Sequence, residues 1–374
     1  MFARWQFNEV SAAYADLGTF LPLVIGLIVV AGMDPVGLLF GFGIFAIATG
    51  VIYRRPIPVQ PMKAIAAAGI AGIAGPEVLI ATGILLGLTL LILSQTQVIG
   101  YLKSLIPKTV LHGMRLALAA SLIITAFGFD DVDVLPLMIL LALLVATQLS
   151  ALRSISCLLV IVAGFLWLGS PLELQDFAFG VSFPEFTLPR LESLSSGLQS
   201  LFLPQLALTL TNALILTAII AQNYFPDSAS ELTERRFSMT SGLANLLLAP
   251  FGAMPMCHGA GGLAAHYGMG SRTGLSLMIF GLTCLVIALF FGDQSAQILH
   301  AIPAEVTATL VLFAAWVLAD PLKLLKVRSS CQLIIVLMVP LTLWGGLFLA
   351  LVAGILLELA RAKYDRSVVS STPS

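Results

Sequence analysis

The sequence predicts an all-α polytopic membrane fold, laid out as a 7+7 transmembrane inverted repeat in which one crossing of each half is a broken half-helix. Three observations predict it. Of 374 residues, 59% are hydrophobic and only 10% charged, and the mean hydropathy of +1.03 is far above that of a water-soluble domain. Long apolar stretches fill nearly the whole chain. Finally, the chain can be laid on itself with an offset of about 196 residues at three chemically unusual places.

A spanning helix needs about 20 predominantly apolar residues. Residues 9–30, 36–53, 76–99, 109–128, 134–150, 155–169, 203–222, 273–292, 301–319 and 332–359 supply full or near-full spans. Lys and Arg gather at Arg4, Arg54 and Arg55, Lys103 and Lys108, Arg153, Arg235 and Arg236, Arg272, Lys323 to Arg328 and Arg361 to Arg366, which the positive-inside rule assigns to the cytoplasm. The connections at Gly75 to Glu77, Asp130 to Asp133, Pro171 to Glu192 and around Asp293 then face outward. This alternation needs about seven crossings per half, counting short helices that begin near Pro61 and Gly259. An odd number gives the halves opposite topology, with both termini cytoplasmic.

The repeat rests on particular residues. Asp16 in AAYADLGTFLP falls on Asn212 in LTLTNALILT, PVQPMKAIAAA from Pro58 falls on PMCHGAGGLAA from Pro255, and IPKTV from Ile106 falls on IPAEV from Ile302. A formal net charge of −1 excludes a basic nucleic-acid surface. Cys157, Cys257, Cys284 and Cys331 stand singly, without the paired spacing of a zinc site or disulfide framework. Glu9 and Asp16 come too early for a signal peptide, so the first segment is expected to be a span. The sequence holds no metal-ligand spacing, nucleophile elbow or phosphate loop, so no enzyme activity, metal or cofactor is expected.

The chemistry concentrates at the two broken segments. Pro56, Pro58 and Pro61 cannot continue a helix but can open one, so an extended stretch is expected to lead into a half-helix near Met62. Pro250, Pro255 and four glycines between Gly252 and Gly262 do the same in the second half. Interrupted segments at matching positions of two repeats point to a transporter binding site. Inversion aims the two N-termini at each other near the midplane, where unpaired N–H groups and about half a positive charge each suit a compact tetrahedral anion.

Lys63 adds a full positive charge at membrane depth, where ionisable residues mark function; its plain alternatives are pairing with Asp16 or snorkelling to the cytoplasm. Gly259, Gly261 and Gly262 let backbone approach the anion closely, and Met62, Gly259, Ala260 and Gly261 at the two helix starts are candidate ligands. Gln60, Gln205, Thr209, Thr211 and Asn212 offer neutral hydrogen-bonding groups, as ligands or as glue between helices. Gln60 is the foremost of these, beside the break. His258 is a candidate donor or proton carrier, or a structural histidine. Asp16, with Gly18 and Thr19, is the candidate for coupling or gating, or a structural partner for Lys63. His112, His266, Arg115 and Glu305 receive no site role.

Three motifs, ADLGTFLPLVIGL from Ala15, PVQPMKAIAA from Pro58 and CHGAGGLAAHYGMGSRTG from Cys257, are similar to those of the molybdate transporter branch of the sulfate permease superfamily, and the resemblance covers essentially the whole chain. It implies the sulfate permease and nucleobase symporter-like fold: fourteen spans, with a core domain of spans 1–4 and 8–11 and a gate domain of spans 5–7 and 12–14. On this chain those are residues 1–102 and 201–296 for the core, and 103–200 and 297–374 for the gate. The resemblance also implies molybdate uptake, and family members are often dimers. Larger sulfate permeases carry a cytoplasmic C-terminal domain of the anti-sigma-factor-antagonist type, for which the roughly fifteen residues after Leu359 leave no room. Nucleobase symporters hold the base with glutamates on spans 8 and 10, where this chain has LTLTNALIL and CHGAGG.

The expected function is secondary active transport of molybdate across a bacterial-style inner membrane, by alternating access of core against gate. The alternatives are a sulfate or general oxyanion carrier and an anion channel on the same fold. The inside-negative potential opposes uptake of a dianion, which calls for a coupling proton or sodium ion, or for exchange.

Overall fold

The computed structural model describes residues 2–70, 72–104, 106–128, 132–150, 152, 155–169, 180–319 and 329–371. Asp130, Asp131, Arg153, residues 171–179 of the long outer connection and the basic stretch Lys323 to Arg328 lie outside the described residues.

The predicted first span is two helices. The chain forms α1 (Phe2–Ala12), turns through Ala13 to Asp16, and resumes as α2 (Leu17–Val29). A carboxylate and its neighbours thus sit on unwound backbone in mid-segment. Helix α3 (Pro35–Tyr53) opens on Pro35 and is capped by Asp34, whose carboxylate accepts from Val36 N (3.2 Å) and Gly37 N (2.7 Å), the expected geometry for an N-cap acid with proline at N1. The prolines then hold the chain extended through β1 (Gln60–Pro61), and α4 (Lys63–Ile70) follows. Helix α5 (Pro76–Gln95) ends four residues short of the predicted 99, because a break at Thr96 and Gln97 starts the separate short helix α6 (Val98–Ser104). Helices α7 (Lys108–Phe127), α8 (Val134–Gln148) and α9 (Ser156–Leu168) follow.

An extended strap through residues 180–190 ties several helices together. Ser182 N donates to Leu289 O (2.8 Å), Thr187 N to Pro250 O (2.7 Å) and Arg190 N to the Glu77 carboxylate (2.7 Å). After α10 (Leu191–Ser200) comes one long helix in three pieces: α11 (Phe202–Leu208), a π-helical stretch (Thr209–Leu216) and α12 (Thr217–Tyr224). Helix α13 (Glu234–Leu248) leads to β2 (Met256–Cys257) and α14 (Ala260–Gly268). Helices α15 (Leu275–Phe291), α16 (Ser295–His300), α17 (Ala304–Ala319) and α18 (Ser329–Ser371) complete the chain, with α18 broken at Gly346, φ 80°. Residues 360–371 are therefore helical.

Among the described residues, four helical segments, Pro35–Tyr53, Pro76–Gln95, Lys108–Phe127 and Gln205–Tyr224, are long and apolar enough to span a membrane unaided, and shorter apolar helices accompany them. Helix α13 was absent from the predicted stretches because Ser238, Thr240, Ser241 and Asn245 lower its hydropathy; all four are buried. Small residues bring helices together, as membrane packing favours. A Cβ on Gly281 of α15 would lie 2.6 Å from Gly43 O of α3, and one on Gly242 of α13 would lie 2.9 Å from Gly87 O of α5. Shifting the chain by the repeat offset carries α3 onto α13 and α5 onto α15, so these two contacts map on each other. Helix α7 packs on α17 and α18, and α17 reaches back to α2 and α14.

Candidate functional site

The two broken segments meet. Strands β1 and β2 pair antiparallel, Gln60 opposite Cys257 and Pro61 opposite Met256, and Met62 N donates to Pro255 O (2.9 Å). The chains run in opposite directions here, and each enters a helix within three residues. The N-termini of α4 and α14 therefore lie side by side with the helices leading apart. Asn245 clamps the bridge, its amide bonding both Met256 N and Met256 O at 2.8 Å.

Beside the bridge is a cavity of about 220 Å³. Gln60, Lys63, Gln205, Asn212, Cys257 and His258 line one wall; Leu118, Ser121, Leu122 and Thr125 of α7, with Thr342 and Gly346 of α18, line the other. Lys63 is the first residue of α4, and among the described residues it forms no ion pair. The α14 terminus begins at Gly259, extended at φ −156°, with no side-chain cap. Asn212 sits in the π-helical stretch, and Thr217 Oγ1 donates to its carbonyl (2.7 Å). The Asn212 Oδ1 atom is buried without a partner. A π-helical stretch at such a place is a frequent mark of function.

Several predicted residues stand differently from their sequence-stated roles. Gln60 Nε2 donates to Asp16 Oδ2 (2.6 Å) and Thr19 Oγ1 (3.1 Å); an ionised carboxylate only accepts, so the amide nitrogen must face it. Both amide hydrogens are thereby engaged, and Gln60 braces the unwound turn. Thr19 Oγ1 also bonds the Asp16 carboxylate. A Cβ on Gly259 would overlap Gln60 Oε1, and one on Gly262 would meet Asp16 Oδ2 and Gln60 Nε2, so glycine is what admits this cluster.

His258 has both ring nitrogens in use, Nδ1 to the Pro58 carbonyl (3.0 Å) and Nε2 to Thr240 Oγ1 (2.9 Å). A carbonyl only accepts, so Nδ1 carries the proton. The ring packs among Phe45, Tyr53 and Phe237. Met62 and Ala260 are fully buried. Thr211 Oγ1 donates to the Ala207 carbonyl (2.8 Å); Met62, Thr211, Gly259, Ala260 and Gly261 stand outside the cavity lining, which reaches the second broken segment at Cys257 and His258. A Cβ on Gly261 would lie 3.3 Å from Leu122, at the face toward α7. Gly18 packs against Thr307 and Val311 of α17.

Gln205, a candidate ligand or glue between helices, joins two helices. Its Oε1 accepts from Ala64 N (2.9 Å) and Ile65 N (3.4 Å), while Nε2 donates to Thr209 Oγ1 (3.0 Å). It caps α4 from across the molecule. The only available signal was a glutamine inside an apolar span.

Comparison with known proteins places this geometry. The family described as "Molybdate transporter of MFS superfamily" matches residues 8–122 and 197–318. The chain belongs to this molybdate transporter family. It is 31% identical to molybdate transporter 2 of Arabidopsis thaliana over 366 residues, covering 83% of this chain and 78% of that protein. It is 27% identical to molybdate transporter 1 of the same plant, covering 99% and 92%. Among solved structures it resembles the transmembrane domain of the cyanobacterial bicarbonate transporter BicA (TM-score 0.58, 16% identity, 96% and 98% covered). It also resembles SLC26A9 (TM-score 0.62, 12% identity, 98% and 66% covered). At these identities the structures show the fold, that of sulfate permease and SLC26 transporter membrane domains. The chain is an integral membrane protein whose relatives are transporters rather than enzymes.

Proposed function

We propose that this chain carries molybdate into the cell as a secondary active transporter, binding the dianion in the cavity between the N-termini of α4 and α14. The observation that carries the reading is the β1–β2 bridge: it brings Lys63 at the start of α4, and Cys257 and His258 on the lead into α14, to one cavity. Backbone donors of Gly259, Ala260 and Gly261, the Lys63 ammonium and the Asn212 side-chain amide are the proposed ligands, with Gln60 and His258 holding the backbone that presents them. On the opposite wall, Ser121, Thr125 and Thr342 spend their hydroxyl hydrogens on the carbonyls of Ala117, Ser121 and Met338 at 2.8–3.0 Å. That wall offers the anion acceptors rather than donors. The anion accordingly stays with the core, residues 1–102 and 201–296, as the core moves against a gate of residues 103–200 and 297–374 through seven crossings per half.

Uptake of a dianion against an inside-negative potential costs about 2.3 kcal/mol per charge per 100 mV, so coupling is needed. Asp16, held by Thr19 and Gln60 next to the start of α14, is the proposed coupling group, with a proton or sodium ion as its partner. The test is thermal stabilisation of the purified protein by micromolar molybdate, with sulfate and nucleobases as controls. Stabilisation by molybdate well above sulfate supports the reading. Equal responses make the protein a general oxyanion carrier, and a response to nucleobases alone overturns the substrate class.

A further inference from the structure

A second, small void of about 10 Å³ shares no lining residue with the cavity. Its walls are Ala13, Leu17, Phe20, Val59, Leu277 and Phe280, and two polar residues complete it: Asp16 and His266. His266, on α14, is 2% exposed, and its Nδ1 is buried with no hydrogen-bond partner among the described residues. A buried polar atom left unmade is costly and calls for an explanation. The void is about one probe sphere, near the lower limit that admits a water. Asp16 accepts from Thr19 and Gln60, yet a carboxylate has about four acceptor sites, so capacity remains toward the void.

We propose that Asp16 and His266 form a proton-binding site around one internal water, inside the core domain and apart from the anion cavity. The inference rests on the transport reading and gives its coupling ion an address. With His266 neutral, the water donates to Nδ1 and to the Asp16 carboxylate. One added proton, taken from the aqueous side and returned to the other, makes the ring a donor through the water to the carboxylate; no other bond forms or breaks.

The other titratable and charged groups on the elements packed on α14 or lining the void are Arg4 and Glu9 on α1, Tyr14 in the turn before α2, Lys108, His112 and Arg115 on α7, Tyr224 on α12, Cys284 on α15 and Glu305 on α17, with Tyr267 on α14 itself. None of these lines the void. Glu9 is instead taken up by Ser271 Oγ (2.7 Å), Arg272 N (2.8 Å) and Thr273 N (2.9 Å). The site therefore titrates through the Asp16 and His266 pair.

The experiment uses the full chain in proteoliposomes, measuring molybdate uptake and, with a trapped pH dye, lumen acidification. In the wild type, acidification should accompany uptake. In a folded His266→Gln variant, which keeps a polar side chain but cannot titrate, protons moved per molybdate should fall by roughly tenfold or more. Adding Asp16→Asn should lower the ratio no further. If His266→Gln does not fold, Ala13→Val, which fills the void and leaves both groups in place, must give the same fall. An unchanged ratio in a folded variant overturns the site while leaving transport standing. Wild-type uptake that follows sodium without acidification also overturns it, whereas absence of wild-type molybdate uptake would instead remove the transport reading beneath it.

Discussion

Replacing Gly262 by alanine puts a methyl group where two side chains already meet. The added Cβ would lie 2.7 Å from Gln60 Nε2 and 2.8 Å from Asp16 Cγ, with Asp16 Oδ2 closer still. Both side chains must swing away, and the 2.6 Å bond between Gln60 Nε2 and Asp16 Oδ2 is lost. A hydrogen bond to a charged group contributes about 1.5–3 kcal/mol, and forcing a methyl into a packed site costs about 1–3 kcal/mol. Alanine's better helix propensity returns up to about 1 kcal/mol. The net loss should be about 2–5 kcal/mol, read by equilibrium unfolding of the purified protein in mixed micelles. The same substitution in an Asp16→Ala background meets only the released end of Gln60, and should cost less than about 1 kcal/mol. A double-mutant cycle additive to within about 0.5 kcal/mol would refute the claim that Gly262 is glycine for the sake of Asp16 and Gln60.

Two further predictions test the binding wall. Lys63→Met should leave the fold intact and weaken molybdate binding by roughly 10–100-fold, the loss of one charge-assisted interaction; an unchanged Kd by calorimetry in a folded variant removes Lys63 from the ligand set. Gln205→Ala uncaps α4 and should destabilise the protein by about 1 kcal/mol in the same unfolding assay, while no change in stability would mean that water replaces the cap without loss.

Much of this architecture was legible in the sequence because membranes enforce simple patterns. Runs of apolar residues marked most spans, and Pro58, Pro61 and Pro255 marked the breaks because proline leaves only extended backbone or a helix start. Asp16 stood out as a carboxylate among apolar residues, and the unwound turn from Ala13 to Asp16 is what that placement requires. What sequence hid was long-range pairing. Nothing local says that Gln205 reaches Ala64 N, that Asn245 clamps Met256, or that the His258 ring faces Pro58 and Thr240. The π-helical stretch around Asn212 has no compositional signal. Helix α13 escaped the hydropathy pattern because its buried serines, threonine and asparagine read as solvent-facing. His266 looked idle for a related reason, since an empty Nδ1 beside a one-water void exists only in three dimensions.

The central claim is where the anion sits, and molybdenum itself supplies the probe. Anomalous diffraction at the molybdenum absorption edge from crystals of the molybdate-soaked protein should place a single strong peak in the cavity, between the Lys63 ammonium and the backbone N–H groups of Gly259 to Gly261. A peak elsewhere, such as in the basic recess lined by Lys108 and Arg115, or no peak at saturating molybdate, would contradict it.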